Sequence, residues 1–113
     1  MLGMGPADPA ANLTPQEAHQ RLKGKQPPRL LDVRMPDENR QGRIPGSKLI
    51  PLNELENRLG EMDKDKPLIV YCRSGNRSSI ALGILKDKGF TNAAHIAGGF
   101  MAWSQSGLPV ETK

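Results

Sequence analysis

Cys72 is the only cysteine in 113 residues, and the residues after it are Arg73, Ser74, Gly75, Asn76, Arg77 and Ser78. A thiol followed within five positions by two permanent cations has the composition of an activated nucleophile. Neighbouring arginines and helix N-termini lower a cysteine pKa from about 8.5 to roughly 3.5 to 7.5. Each unit is about 1.4 kcal/mol of preference for the anion, and a helix end alone contributes about 0.3 to 1, so loop amides and arginines are expected to supply the rest. Gly75 can take the positive φ of a tight anion-binding curl, and Asn76 tolerates it better than most residues, so the amides of Ser74 to Asn76 can converge on one anion. A buried structural cysteine would gain nothing from flanking charge.

A nucleophile in this setting needs a strand to deliver it and a helix to receive the chain. Leu68-Ile69-Val70-Tyr71, introduced by Pro67, is four apolar residues without alternation, the pattern of a strand covered on both faces and therefore central. After the polar loop a helical pattern runs from Ser78 to near Gly89, with Ile80, Ala81, Ile84 and Leu85 expected on one face. Cys72 thus falls beyond the carboxyl end of a central strand, where ligands of parallel sheets bind.

The other elements follow the same reasoning. Thr14-Pro15-Gln16-Glu17 combines an N-cap, a proline for the first helical position and a glutamate for a capping box, which predicts a helix to about Lys23. Leu30 to Val33 reads as a buried strand bounded by Pro27-Pro28 and the polar stretch 37–42, and its Asp32 then needs a partner. Lys48 to Ile50 can form a short strand, and Asn53 with Glu56 opens a helix that gathers Leu52, Leu55, Leu59 and Met62 on one side. Ala93 to Ile96 gives a last strand, Gly98-Gly99 breaks it, and Phe100 to Gln105 gives a short helix ended by Gly107 and Pro109. Strands alternating with helices predict an α/β domain with a mainly parallel sheet. Residues 1–12, rich in Gly, Pro and Ala, are expected to be a flexible tail without chemistry, leaving 13–111 as one domain.

Composition narrows the function. A single cysteine permits no intramolecular disulfide and no metal site of paired cysteines, which suits a reducing, cytoplasmic setting. No apolar stretch approaches the roughly 20 residues of a spanning helix, and no export or membrane signal is visible. The net charge of +4 is scattered among acids, and aromatics make up 4%, so no basic stripe or stacking platform for nucleic acid is expected. The positive balance instead suits a small anionic substrate.

Four segments, in order, resemble the rhodanese family: Leu31-Asp32-Val33-Arg34, Gly42-Arg43-Ile44-Pro45-Gly46-Ser47, Val70-Tyr71-Cys72-Arg73-Ser74-Gly75-Asn76-Arg77-Ser78 and Gly98-Gly99-Phe100-Met101-Ala102-Trp103. The resemblance spans nearly all the chain beyond the tail. It implies a rhodanese-like α/β fold, a mainly parallel sheet of about five strands with helices on both faces. It also implies a sulfurtransferase that needs no cofactor and no metal. The Cys72 thiolate would take the outer sulfur of thiosulfate, release sulfite, and pass the sulfur from a persulfide to cyanide, a thiol or a thioredoxin-like acceptor. Ser74, Gly75, Asn76 and Ser78 would complete the binding loop, Arg73 and Arg77 would hold the sulfonate, and Asp32 and Arg34 would order the site. Where the family often has an aromatic residue and a histidine, this chain has Asn39 and Arg43. His95, near the last strand end, could reach the site; His19 is a weaker candidate, and Phe100 and Trp103 read as core.

Two other readings fit the same loop. A Cys-dependent phosphatase or arsenate reductase shares the Cys-Arg anion cradle, but tyrosine-phosphatase-like loops place one residue more between Cys and Arg than the four found here. A non-catalytic interaction module would have no need of an intact Cys72 with both arginines. A redox role is weakened by the lack of a resolving cysteine.

Overall fold

Successive apolar residues of the short strands leave the sheet on opposite faces, and this alternation organises the computed structural model, which describes residues 11–113. Five strands are described: β1 Asn12–Leu13, β2 Arg29–Asp32, β3 Lys48–Leu49, β4 Leu68–Tyr71 and β5 Ala93–Ile96. They form one sheet in the order β1-β5-β4-β2-β3, and every pair is parallel. β4 is central, with Leu31 opposite Val70 on one side and Val70 opposite His95 on the other.

The helices cover both faces. Leu31, Val33, Leu68 and Val70 pack with Leu55, Ala81 and Leu85 beneath α3 (Asn76–Asp87) and the 3₁₀ helix Leu52–Glu61. On the other side Leu30, Ile69, Tyr71 and Ile96 pack with Ala18 and Trp103 beneath α1 (Pro15–Leu22) and α4 (Gly99–Gln105). Both faces of β4 are therefore dry, which is why its sequence does not alternate.

The N-terminal helix forms as its sequence predicts. The Glu17 amide donates to Thr14 Oγ1 at 3.0 Å, and the Thr14 amide donates to Glu17 Oε1 at 2.9 Å. Elsewhere local reading and structure part company. The stretch 37–42 contributes a short helix, α2 (Pro36–Gln41), which has no buried residue and so carries no hydrophobic period. The segment from Leu52 is 3₁₀ rather than α, is entered through Pro51 without a side-chain cap from Asn53, and kinks at Arg58. It still turns Leu52, Leu55, Leu59 and Met62 toward one cluster. α3 begins at Asn76, two residues before Ser78, and Ile80 faces outward at 57% exposure while Ala81 and Leu85 are buried.

The expected tail 1–12 falls mostly outside the described residues, but its last member does not behave as a tail. Asn12 pairs with His95 and Leu13 with Ile96, because Leu13 can bury its side chain only by extending along the open edge of β5. At the other end Arg43 and Glu111 exchange backbone hydrogen bonds of 2.8 Å in an isolated antiparallel bridge.

Candidate active site

The chain leaves β4 at Tyr71 and turns at once, so Cys72 is only 1% exposed while Arg73 and Ser74 on the outside of the loop are exposed. Gly75 turns with φ of +113°, and Asn76 is already the first residue of α3. The left-handed step thus belongs to Gly75 alone, not to Asn76. This curl aims two amides at the sulfur, Gly75 at 3.1 Å and Ser78 at 3.3 Å, while the Cys72 thiol donates to the Ser78 hydroxyl 3.6 Å away. Burial pushes the Cys72 thiol up, but the Ser78 hydroxyl with the amides of Ser78, Gly75 and Ser74 outweighs it, and the net shift is downward.

The two arginines differ in their partners. Arg77 makes a two-pronged pair with Glu38 on α2, at 2.7 and 2.8 Å. That pair holds the Glu38 carboxyl down at about 2. The causes that lower the Cys72 pKa are the Ser78 hydroxyl and the loop amides, while Arg77, though paired to Glu38, still feels the Cys72 charge. Arg73 is exposed and makes no ion pair among the described residues.

The loop is clamped from below by α4. The Phe100 amide donates to the Cys72 carbonyl at 2.8 Å and the Met101 amide to the Arg73 carbonyl at 3.0 Å. With these two carbonyls drawn down to α4, the following N–H groups are left to face the sulfur. The approach needs Gly99, since a Cβ there would lie 2.5 Å from both carbonyl oxygens.

Asp32 and Arg34 form a support rather than a reactive pair. Asp32 is fully buried and accepts four hydrogen bonds: from the Arg34 amide, from Arg34 Nε and Nη2, and from Asn39 Nδ2. Arg34 also donates to the Gly42 carbonyl and lies over the Phe100 ring at 4.6 Å and the Tyr71 ring at 5.3 Å. This knot fixes the end of β2 to α2 and α4, the two elements that flank the cysteine loop. The Tyr71 hydroxyl accepts from the Ile44 amide and meets Ser47, and burial pushes its pKa up to about 12.

His95 comes to the site through Ser78. Its Nδ1 is 2.8 Å from Ser78 Oγ, and its Nε2 is 2.7 Å from Asn12 Oδ1. His19 instead packs edge-on against Trp103, and Trp103 donates to the Pro109 carbonyl. Among the described residues no group of three or more His, Cys, Asp or Glu could hold a metal ion, and no helix is long and apolar enough to cross a membrane.

The family model for the rhodanese-like domain matches residues 14–106, which include every element from α1 to α4. The chain belongs to the rhodanese-like domain family. Its rhodanese-like sequence is 37% identical over 91 residues to a protein named sulfurtransferase from Allochromatium vinosum, covering 80% of this chain and 85% of that one. Several other curated relatives are longer, and the chain spans 21% to 62% of their length. Among solved structures, a rhodanese-related protein from Thermoplasma volcanium is similar with a TM-score of 0.83 at 31% identity, over 90% of this chain and 98% of that one. A protein of unknown function from Rhodopseudomonas palustris, described as a possible tyrosine phosphatase, is similar with a TM-score of 0.79 at 28% identity, over 98% and 97% of the two chains.

Asn39 and Arg43 both have structural work here. Asn39 donates to Asp32, and Arg43 ties the Asn39 carbonyl and Glu111 together. Contacts between residues remote in sequence, Glu38 with Arg77 and Asn12 with His95, had no local signal by which to be found.

Proposed function

We propose that the protein is a sulfurtransferase that carries sulfane sulfur as a persulfide on Cys72. The observation that supports this most directly is the ring of donors around Sγ, which stabilises a thiolate and suits an anionic persulfide as well. In the proposed reaction the thiolate attacks the outer sulfur of thiosulfate. An S–S bond forms to Cys72 as the S–S bond of thiosulfate breaks, and sulfite leaves with the electron pair. A thiol, cyanide or a thioredoxin-like protein then attacks the outer sulfur, and the Cys72 thiolate departs. Splitting one transfer into two displacements at a good leaving group is what covalent catalysis contributes.

Arg73, exposed at the rim, is the proposed site for the sulfonate, with Arg77 beside it while paired to Glu38. Ser74, Gly75, Asn76 and Ser78 form the cradle, and Asp32 and Arg34 hold its underside. The reaction as written uses no cofactor, and an easily oxidised lone thiolate suits a reducing, cytoplasmic compartment.

A phosphatase reading has one point in its favour, the likeness to the possible tyrosine phosphatase. Against it stand the four residues between Cys72 and Arg77 and the commitment of Arg77 to Glu38. The test is to incubate the protein with thiosulfate and weigh it intact. One added sulfur atom that cyanide or a thiol removes, absent from Cys72→Ser, is the expected result. Hydrolysis of an aryl phosphate at a rate comparable to sulfur transfer, or no adduct at all, overturns the proposal.

A further inference from the structure

Cys72, Ser78, His95 and Asn12 form an unbroken chain of polar contacts from the sulfur to the edge of the sheet, with separations of 3.6, 2.8 and 2.7 Å. The sulfur-transfer reading explains the first link and leaves the other two unused. Ser78 and His95 are both buried, so their contacts with each other are not incidental surface pairings. The one Ser78 hydroxyl proton has two acceptors, the Gly75 carbonyl at 3.2 Å and His95 Nδ1 at the shorter 2.8 Å, and the shorter contact is the one the relay uses.

The direction of the chain is set from its far end. Asn12 presents Oδ1, an acceptor, to His95 Nε2, so that nitrogen carries the proton. In the neutral ring Nδ1 is then a lone pair facing Ser78 Oγ. The Ser78 hydroxyl donates to Nδ1 and turns its own lone pair toward the Cys72 thiol, in keeping with a thiol that donates to Oγ.

We propose that His95, acting through Ser78 and oriented by Asn12, is a positioning residue that accepts the Cys72 proton when the thiolate forms. The proposal rests on the persulfide reading for its purpose. In the step the S–H proton passes to Ser78 Oγ while the Ser78 proton passes to His95 Nδ1. No bond between heavy atoms changes and no electrons are transferred. The products are a thiolate that accepts from Ser78, and an imidazolium that donates through Nδ1 to Ser78 and through Nε2 to Asn12. Ser78 thereby changes from acceptor to donor toward the sulfur at the moment the charge appears.

The surroundings suit a proton that comes and goes. On its far side His95 borders a cavity of about 270 Å³ that Asn12, Leu82, Lys86 and Phe90 also line. The ionisable groups facing the ring are Cys72 across Ser78 and Lys86 of α3 at the cavity wall. β1 brings Asn12 alongside, and β4 brings Val70. Burial holds the free imidazole below its ordinary pKa, which keeps it neutral and able to accept.

The experiment is the pH dependence of Cys72 alkylation by iodoacetamide, which has a single thiol to read and needs no sulfur transfer. His95→Gln retains a hydrogen-bonding side chain but cannot take the proton. Its alkylation should be slower by on the order of tenfold near pH 7, and the deficit should close by about pH 9, where hydroxide removes the proton. Asn12→Asp, at the exposed end of the chain, should strengthen the base and move the wild-type profile toward lower pH. Nuclear magnetic resonance of the His95 ring should show a lower imidazole pKa in Cys72→Ser than in wild type, because the thiolate that favours the imidazolium is gone. A deficit in His95→Gln that is equal at all pH values, or a His95 titration indifferent to Cys72→Ser, overturns the relay. Either result leaves the thiosulfate adduct test standing on its own.

Discussion

Gly99→Ala is the substitution that most directly tests whether α4 sets the geometry of the cysteine loop. The new Cβ would lie 2.5 Å from the Cys72 and Arg73 carbonyl oxygens, where ordinary contact begins near 3.4 Å, so α4 and the loop must separate by nearly an ångström. Gly99 also has φ of +61°, a left-handed conformation that costs a residue with a Cβ about 1 to 2 kcal/mol. Separation lengthens the Phe100 and Met101 hydrogen bonds to the loop carbonyls, each a contribution of about 1 kcal/mol. The total loss is about 3 to 4 kcal/mol. Gly46→Ala is the control, because φ there is +83° but nothing lies within 4 Å, leaving only the backbone cost. Urea denaturation should therefore separate the two variants by about 2 kcal/mol. The displaced loop should also draw its amides off the sulfur, raising the alkylation midpoint and slowing sulfur uptake on the order of a hundredfold. Equal stabilities for the two variants, together with an unchanged alkylation midpoint in Gly99→Ala, would refute the clamp.

Two further outcomes are expected. Because Arg77 holds Glu38 at about 2, below the 4.5 of a free glutamate, the pair contributes stability above about pH 4.5 and loses it as pH falls toward 2. The pair is only partly covered, so after screening the difference between wild type and Glu38→Gln should be about 1 kcal/mol at pH 6 and vanish near pH 2; a difference constant with pH in acid denaturation would contradict the linkage. Inserting one glycine after Gly75 should lower thiosulfate turnover and widen the cradle toward phosphate or arsenate, checked by assaying both variants on thiosulfate and an aryl phosphate; undiminished sulfur transfer would show that loop length does not tune the site.

What the sequence made legible was whatever is written locally. Leu68 to Tyr71 announces a doubly covered strand, Thr14 to Glu17 a capping box, and Cys72 to Ser78 an anion loop, because each depends on neighbours a few residues away. Cys72 could be named for the same reason, whereas Asp32 and Arg34 are named only through the resemblance to the rhodanese family. Arg77 could be seen but its partner could not, since Glu38 lies 39 positions away on a helix with no buried face. Asn12 reads as tail because its Gly- and Pro-rich neighbours outweigh the single apolar Leu13 that draws it into the sheet. Ile80 misled because an apolar residue at helical spacing suggests the core, whereas α3 turns that position toward solvent.

The shortest strands of the sheet include β1, with two residues at an open edge, joined to the rest by register with β5 and by the Ala97 amide bonded to the Leu13 carbonyl. A two-residue strand with one well-buried side chain is expected to exchange its amides faster than the four-residue central strand β4. The clamp from α4 and the amides on the sulfur draw nothing from β1, whereas the outer partner of His95 is a residue of β1. The cysteine loop thus hangs from the centre of the sheet, whereas the outer contact of His95 is made to a two-residue strand at its edge, so the reactive sulfur and the far end of the polar chain are fastened to opposite extremes of one sheet.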